Sequence, residues 1–365
     1  MKFRAIIFGF YLIVFPFYLY PSGSPQIADV IGIILILFSL KSIFVNIKKY
    51  KFFTYLLVFF CYSFLLNLIW VLILQDFILL KSSITYLYCL LLSISSFFCF
   101  ENKKYSKLIL KFLLISALLQ LILIPFSARE WGFRTILFFN NPNQLALWSI
   151  NFLLIINVLL SNLNLKNRTK NILYLVPTFF AILSVSKAVI ASFVLFWAYV
   201  FLKEGFTLKN VLFSTLLVLL FVNNQDKIND LQFISDAVSR IETDNLDDDS
   251  LEGRGFDRIW NHPEYLIFGA GEGLNNRFTA NYKGEIHSTL FNILFSYGLL
   301  GLLLISIAFF GIIKSSHKKD KFILFLCLFI FSLGHMTLRI PLFWIAITSL
   351  YFFKFIKLKN HTCAE

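Results

Sequence analysis

Predominantly apolar stretches, most of them about as long as a bilayer is thick, recur along almost the whole chain, at 4–21, 26–46, 52–74, 77–100, 108–126, 143–161, 171–185, 188–202, 208–223, 288–313, 321–336 and 339–356. A helix of about 20 apolar residues crosses the hydrocarbon core, where every backbone polar group must find its partner inside the segment. The pattern predicts an all-α polytopic membrane protein with about 12 transmembrane helices. Composition agrees, because 58% of the 365 residues are hydrophobic and only 15% are charged, outside the range of a soluble domain. The pairs 171–185/188–202 and 321–336/339–356 are short enough to be re-entrant instead.

The formal charge of +13 would suggest a nucleic-acid partner in a soluble chain. Here the basic residues cluster between alternate apolar runs: Lys48-Lys49-Tyr50-Lys51, Lys103-Lys104 with Lys107, Lys166 to Lys170, Lys203 to Lys209 and Lys314 to Lys321. Both ends of the chain, with Lys2, Arg4, Lys354, Lys357 and Lys359, fall in the same parity class. The positive-inside rule puts that class in the cytoplasm, so the excess charge is topological and no nucleic acid is expected. Met1 to Pro21 has the basic end and apolar middle of a signal peptide but no Ala-x-Ala type cleavage site, and reads as a retained first helix. The five cysteines (61, 89, 99, 327, 363) show neither metal spacing nor a disulfide framework.

The organisation that follows is residues 1–223 as helices one to nine with a short outer loop at 127–142, one long outer loop at 224–287, and residues 288–365 as the last three helices with a cytoplasmic tail. The long loop carries 13 acidic and 6 basic residues, a net charge of −7, with Asp247-Asp248-Asp249 in an acidic part read as a solvated surface. From Gly253 the composition changes. Gly253-Arg254-Gly255-Phe256-Asp257-Arg258 leads to Trp260 and His262-Pro263, then to Gly269-Ala270-Gly271-Glu272-Gly273. A helix at about 255–261 would set Arg254 and Arg258 on one face as a phosphate clamp; the alternative reading is a pair of surface arginines balancing the loop's acids. The closely spaced glycines lie outside any βαβ unit and read as backbone turning near the bilayer rather than as a nucleotide loop.

His287-Ser288 stands where the long loop re-enters the membrane, nine residues ahead of Gly298-Leu299-Leu300-Gly301. Ser288 is suited to cap the next helix, and the positive end of that helix favours a neutral imidazole on His287; Glu285 pulls the other way. In the medium loop, Asn141-Pro142-Asn143 suits a helix start, while Arg134 has no such structural reason. Lys187 and Arg339 add cations at the same membrane face. Each alone reads as a snorkelling residue; together Arg134, Lys187, Arg254, Arg258 and Arg339 would form a site for an anionic lipid headgroup.

Taken in order, Arg134, Asn141-Pro142-Asn143, Ser186-Lys187-Ala188, Gly253-Arg254, Trp260, His262-Pro263, Gly269-x-Gly271-x-Gly273 and His287-Ser288 followed by Gly298-x-x-Gly301 resemble the superfamily of O-antigen polymerases and O-antigen ligases, over about residues 130–310. Two departures stand out: Lys187-Ala188 where the family often has Arg-Gly, and His287-Ser288 where it often has His-Asn. The resemblance implies a GT-C-type glycosyltransferase of the bacterial inner membrane with one large periplasmic loop, acting on undecaprenyl-pyrophosphate-linked oligosaccharides without cofactor or metal. It implies His287 as general base and Arg254 with Arg134 as pyrophosphate ligands, joined by Lys187, Arg258 and Arg339, with Asn143 and Glu272 on the substrate; a chain-length regulator is a possible partner. A retaining mechanism would need a carboxylate nucleophile, for which Glu272 and Asp257 are the candidates. The polymerase reading is preferred to the ligase, and a transporter or lipid flippase is the alternative of a different class.

Overall fold

A computed structural model describes residues 2–100, 102–127, 130–131, 134–163, 165–204, 250–280, 282, 284–313 and 318–361, with backbone alone at 130–131, 134, 204, 318–319 and 353–361. The span at 208–223, the acidic segment up to Asp249 and the Arg134 side chain lie outside the described residues.

Among the described residues the fold is all-helical apart from a two-residue antiparallel ladder, in which Glu130 pairs with Thr135 and Trp131 with Arg134. Its helices are α1 (Lys2–Val14), α2 (Ile27–Leu37), α3 (Leu40–Lys49), α4 (Lys51–Leu74), α5 (Leu80–Phe97), α6 (Lys103–Ile122), α7 (Pro142–Leu163), α8 (Asn167–Leu183), α9 (Lys187–Glu204), the short α10 (Asp257–Asn261), α11 (Thr289–Ile313), α12 (Lys318–Gly334) and α13 (Pro341–His361). Among the described residues, five are long and apolar enough to cross a membrane: α4, α5 with its preceding turn, α6, α7 and α11. A sixth is reached if α2 and α3 are one broken span.

Two expected spans take a different shape. The run at 26–46 is two helices meeting at 75°, because Lys41 lies just past the bend and a charged second half cannot follow the apolar α2 into hydrocarbon. The first run stops as a helix at Val14, two residues before Pro16, whose ring cannot continue the backbone ladder.

The buried centre is α7, whose side chains from Leu145 to Leu160 are almost all inaccessible, packed against α6, α8, α9, α12 and α13. On one flank α1 packs on α2 and α6, and α5 carries α2, α3 and α13; on the other α4 packs on α11, α11 on α12 and α12 on α9. The start of α7 is built as the sequence suggests. Pro142 takes the first helical position, where it forfeits no bond, and the Asn141 side-chain oxygen accepts from Gln144 N at 2.9 Å.

The segment before α11 folds back onto the bundle. A small apolar cluster of Phe256, Ala270, Phe278, Ile286 and Phe295 anchors it, with Tyr265 and Phe291 packed around. Its glycine-rich stretch crosses α11 where that helix is broken at Gly298 (φ 66°, ψ −174°). There Ala270 N donates to Phe295 O, Gly271 N to Ser296 O and Leu299 N to Leu266 O, at 2.8–2.9 Å. Backbone groups released by the break are thus paired by the loop, as burial among helices requires. A Cβ on Gly298 would come within 2.2 Å of the Ile267 carbonyl oxygen, and one on Gly269 within 2.5 Å of Ser296 O, so both glycines are needed for two backbones to touch. From α4, Tyr62 OH donates to Phe268 O at 2.8 Å and Trp70 Nε1 to Gly269 O at 3.2 Å. Tyr62 lies twelve residues before the end of α4, so at about 1.5 Å per residue the loop reaches well down that helix.

Candidate functional site

This docked loop carries Glu272 into the bundle, where the side chain is 2% exposed. Its Oε1 accepts from Arg339 Nε at 2.8 Å and Nη2 at 2.6 Å, and its Oε2 from Tyr297 OH at 2.6 Å and from Tyr86 OH. Its backbone N–H donates to Asn67 Oδ1 at 2.9 Å, and Asn67 Nδ2 in turn donates to Ser83 Oγ at 2.8 Å. Arg339, in the turn between α12 and α13, also reaches Glu285 Oε2 at 2.8 Å. Burial alone would lower the Arg339 guanidinium, but Glu272 and Glu285 outweigh it and hold its pKa above the ordinary arginine value. Glu285 is raised, by burial first, with Arg339 opposing and Glu272 adding to the rise.

Beside this cluster the ends of α9, α11 and α12 meet. Arg254 Nη1 donates to Gly334 O at 3.3 Å, at the last residue of α12, and Arg254 O accepts from His287 N at 3.0 Å. A Cβ on Gly334 would touch Ala188, which follows Lys187, so Arg254 and the start of α9 share one corner. Lys187 is the exposed first residue of α9. The turn before it holds Val185 at φ 47°, a strained conformation for a β-branched residue. Ser186 Oγ lies 3.4 Å from His335 Nε2, and Thr289 Oγ1 donates to His335 O at 2.8 Å. His287 Nε2 is 2.9 Å from Tyr282 OH, which orients the imidazole.

Among the predicted site residues, His287, Arg254 and Lys187 are brought to this corner, with Arg339 and Glu272 paired beside it. The expected arginine clamp is corrected. Helix α10 begins at Asp257, not 255, Gly255 (φ 75°) turns the chain before it, and the two guanidinium groups take separate partners, Arg254 on Gly334 O and Arg258 on Tyr282 O and Gly284 O. Arg258 is 1% exposed and ties α10 to the 282–284 segment, Nη2 donating to Tyr282 O at 2.6 Å and to Gly284 O; burial lowers its pKa, with Asp257 opposing. Asp257 is itself buried at the head of α10. Ser288 stands at the capping position of α11, its carbonyl accepting from Asn292 N at 2.9 Å, but its hydroxyl makes no capping bond among the described residues. Asn143 sits in the first turn of α7, whose neighbours Asn140 and Gln144 bind Tyr20 and Ser22 rather than the Arg254 corner. Arg277, not singled out from the sequence, braces the glycine loop by donating Nη2 to Ala270 O while its guanidinium lies 4.9 Å from the Trp70 ring centroid.

Residues missed by sequence reasoning are Asn67, Tyr86, Tyr282, Tyr297 and His335. Asn67, Tyr86 and Tyr297 are polar groups inside apolar runs, a pattern that marks function or specific packing in membrane helices. Among the described residues no three His, Cys, Asp or Glu side chains converge as metal ligands would. No protein-family model matches the chain, and no curated protein shows significant similarity to it.

Proposed function

We propose that this chain is an O-antigen polymerase, an inverting glycosyltransferase of GT-C architecture with about twelve spans, both termini cytoplasmic and the site on the periplasmic face of a bacterial inner membrane. The observation that supports the reading best is the corner where His287, Arg254 and Lys187 meet at the ends of α9, α11 and α12, a possible base beside cations at one end of a membrane bundle. An acceptor-sugar hydroxyl attacks the anomeric carbon of an undecaprenyl-pyrophosphate-linked oligosaccharide. The new C–O bond forms as the bond to pyrophosphate breaks, the hydroxyl proton passes to His287, and the lipid pyrophosphate leaves. Arg254 and Lys187 neutralise the leaving group, with Arg134 of the medium loop as a further pyrophosphate ligand. Arg339 and Arg258, engaged inside the protein, position Glu272 and the 282–287 segment.

The test is the lipopolysaccharide of a deletion strain complemented with the wild-type gene or with Arg254→Ala. A polymerase leaves a single repeat on the core in both the deletion and the variant. Lipid-linked polymer with none on the core would make it a ligase, and loss of all periplasmic repeat units a flippase.

A further inference from the structure

A second polar cavity lies at the opposite end of α9 and α12 from the Arg254 corner, about 170 Å³ in volume, between the end of α7, the start of α8, the end of α9 and the start of α12. Lys187 and Lys203 mark the two ends of α9, so at about 1.5 Å per residue the two sites are roughly 24 Å apart. The cavity is larger than the ~150 Å³ hole that accommodates a benzene molecule, and it is polar where that one is dry. Its walls include Asn157, Asn171, Tyr174, Lys170, Lys203 and Asp320.

Among the described residues its charges are not balanced. Lys203 Nζ is paired with Asp320 Oδ2 at 2.7 Å, and Tyr199 OH also donates to Asp320. Lys170 is half-buried on the cavity wall, and among the described residues its side chain makes no ion pair or hydrogen bond. An ammonium drawn partly out of water without a partner calls for an anion. The remaining polar walls are amides, hydroxyls and one carboxylate, which match hydroxyl groups, and Phe196, Val200 and Leu324 close the apolar side. Immediately beyond, Ile172, Leu175, Phe179 and Ile182 lie in a row along one side of α8, and each is 44–56% exposed. A pocket with one unpaired cation at a helix end, beside an exposed apolar row about a third of a turn round the same helix, suits a phospholipid headgroup whose acyl chains lie in the bilayer.

We propose that this cavity binds the phosphate ester of an anionic glycerophospholipid such as phosphatidylglycerol, with Lys170 on the phosphate and the polyol toward Asn157, Asn171 and Asp320. It is independent of the transferase reading, since no residue is shared. If the bundle is oriented as the basic clusters indicate, this lipid belongs to the cytoplasmic leaflet.

The experiment uses the purified full-length protein reconstituted in phosphatidylcholine vesicles with or without phosphatidylglycerol, and native mass spectrometry of lipid retained on release. Wild type and Lys170→Arg should retain phosphatidylglycerol. Lys170→Met and Lys170→Gln should bind it about tenfold more weakly, the loss expected for one charge-assisted contact. Lys48→Met, outside the cavity, should match wild type. Equilibrium dialysis with inorganic phosphate and glycerol 3-phosphate separates the sources: no saturable binding supports the lipid, and saturable binding lost in Lys170→Met supports the same site with a soluble phosphate ester instead. Equal retention of phosphatidylglycerol by wild type and both uncharged variants, with no Lys170-dependent binding of either soluble phosphate, overturns the proposal.

Discussion

Arg339→Met should destabilise the protein more than Glu272→Gln, although the two changes break the same ion pair. Arg339→Met strands a carboxylate that is 2% exposed, with only Tyr86 and Tyr297 left to donate to it. Breaking a buried pair from one side costs about 3–5 kcal/mol; Arg339 is 35% exposed, so water reaches the gap and about 2–3 kcal/mol is the reasonable expectation. Glu272→Gln leaves no stranded charge, because Arg339 keeps Glu285 at 2.8 Å while the glutamine carbonyl accepts from the guanidinium and its amide donates to the tyrosine oxygens. About 1 kcal/mol is then lost, the size of one net hydrogen bond. The double variant should be more stable than the sum of the single losses implies, since the stranded anion is gone. Thermal unfolding in detergent can be followed, with Cys61 and Cys363 replaced by serine, through the buried thiols Cys89, Cys99 and Cys327, which react with a maleimide dye only on opening. Equal shifts for the two single variants, or strict additivity in the double, would refute the account of Glu272 as a dry, charged anchor.

Gly298→Ala should cost about 3 kcal/mol or more in the same assay, since the new methyl meets the Ile267 carbonyl at 2.2 Å and the residue sits at φ 66°. Glu285 binds its proton more tightly in the folded protein than unfolded, so stability should fall as pH rises from the ordinary value of 4.5 through the raised one and then level off. Glu285→Gln should flatten that slope, and an unchanged slope would locate the titration elsewhere. His287→Gln should lower polymerisation of lipid-linked repeats about 10²–10⁴-fold while leaving thermal stability within experimental error of wild type.

The helical class was legible because apolar length is a direct record of bilayer thickness, and α4, α6, α7 and α11 fall within a few residues of the runs that mark them. The break at 38–39 was less so: a window of hydropathy averages Lys41 into its apolar neighbours, whereas a charge acts locally and bends the chain. For the candidate site, His287 and Lys187 stand out because few charged residues lie at the outer ends of the apolar runs, and Arg254 because it stands between two glycines. What Arg258 does could not, since spacing of four residues suggests a shared face only if a helix runs through both, and Gly255 interrupts it. Nor could the partners of Glu272 be read, because Asn67, Tyr86, Tyr297 and Arg339 come from four separate elements and meet only through tertiary packing.

That packing gives the glycine run its reason. Gly269 and Gly298 let two backbones meet, the break in α11 supplies the carbonyls that the loop needs, and Tyr62 and Trp70 hold the loop from α4. The loop then delivers one carboxylate to Arg339, whose other partner, Glu285, stands two residues from His287 in sequence. The chain from α4 through the loop to Arg339 and Glu285 is continuous in space, so a change at Gly298 acts on the His287 segment through Glu272 and Arg339 rather than by direct contact. It follows that Gly298→Ala and Arg339→Met should weaken the same segment. Limited proteolysis around Tyr282 should accelerate in both, and acceleration in one alone would show that the loop and the ion pair hold that segment separately.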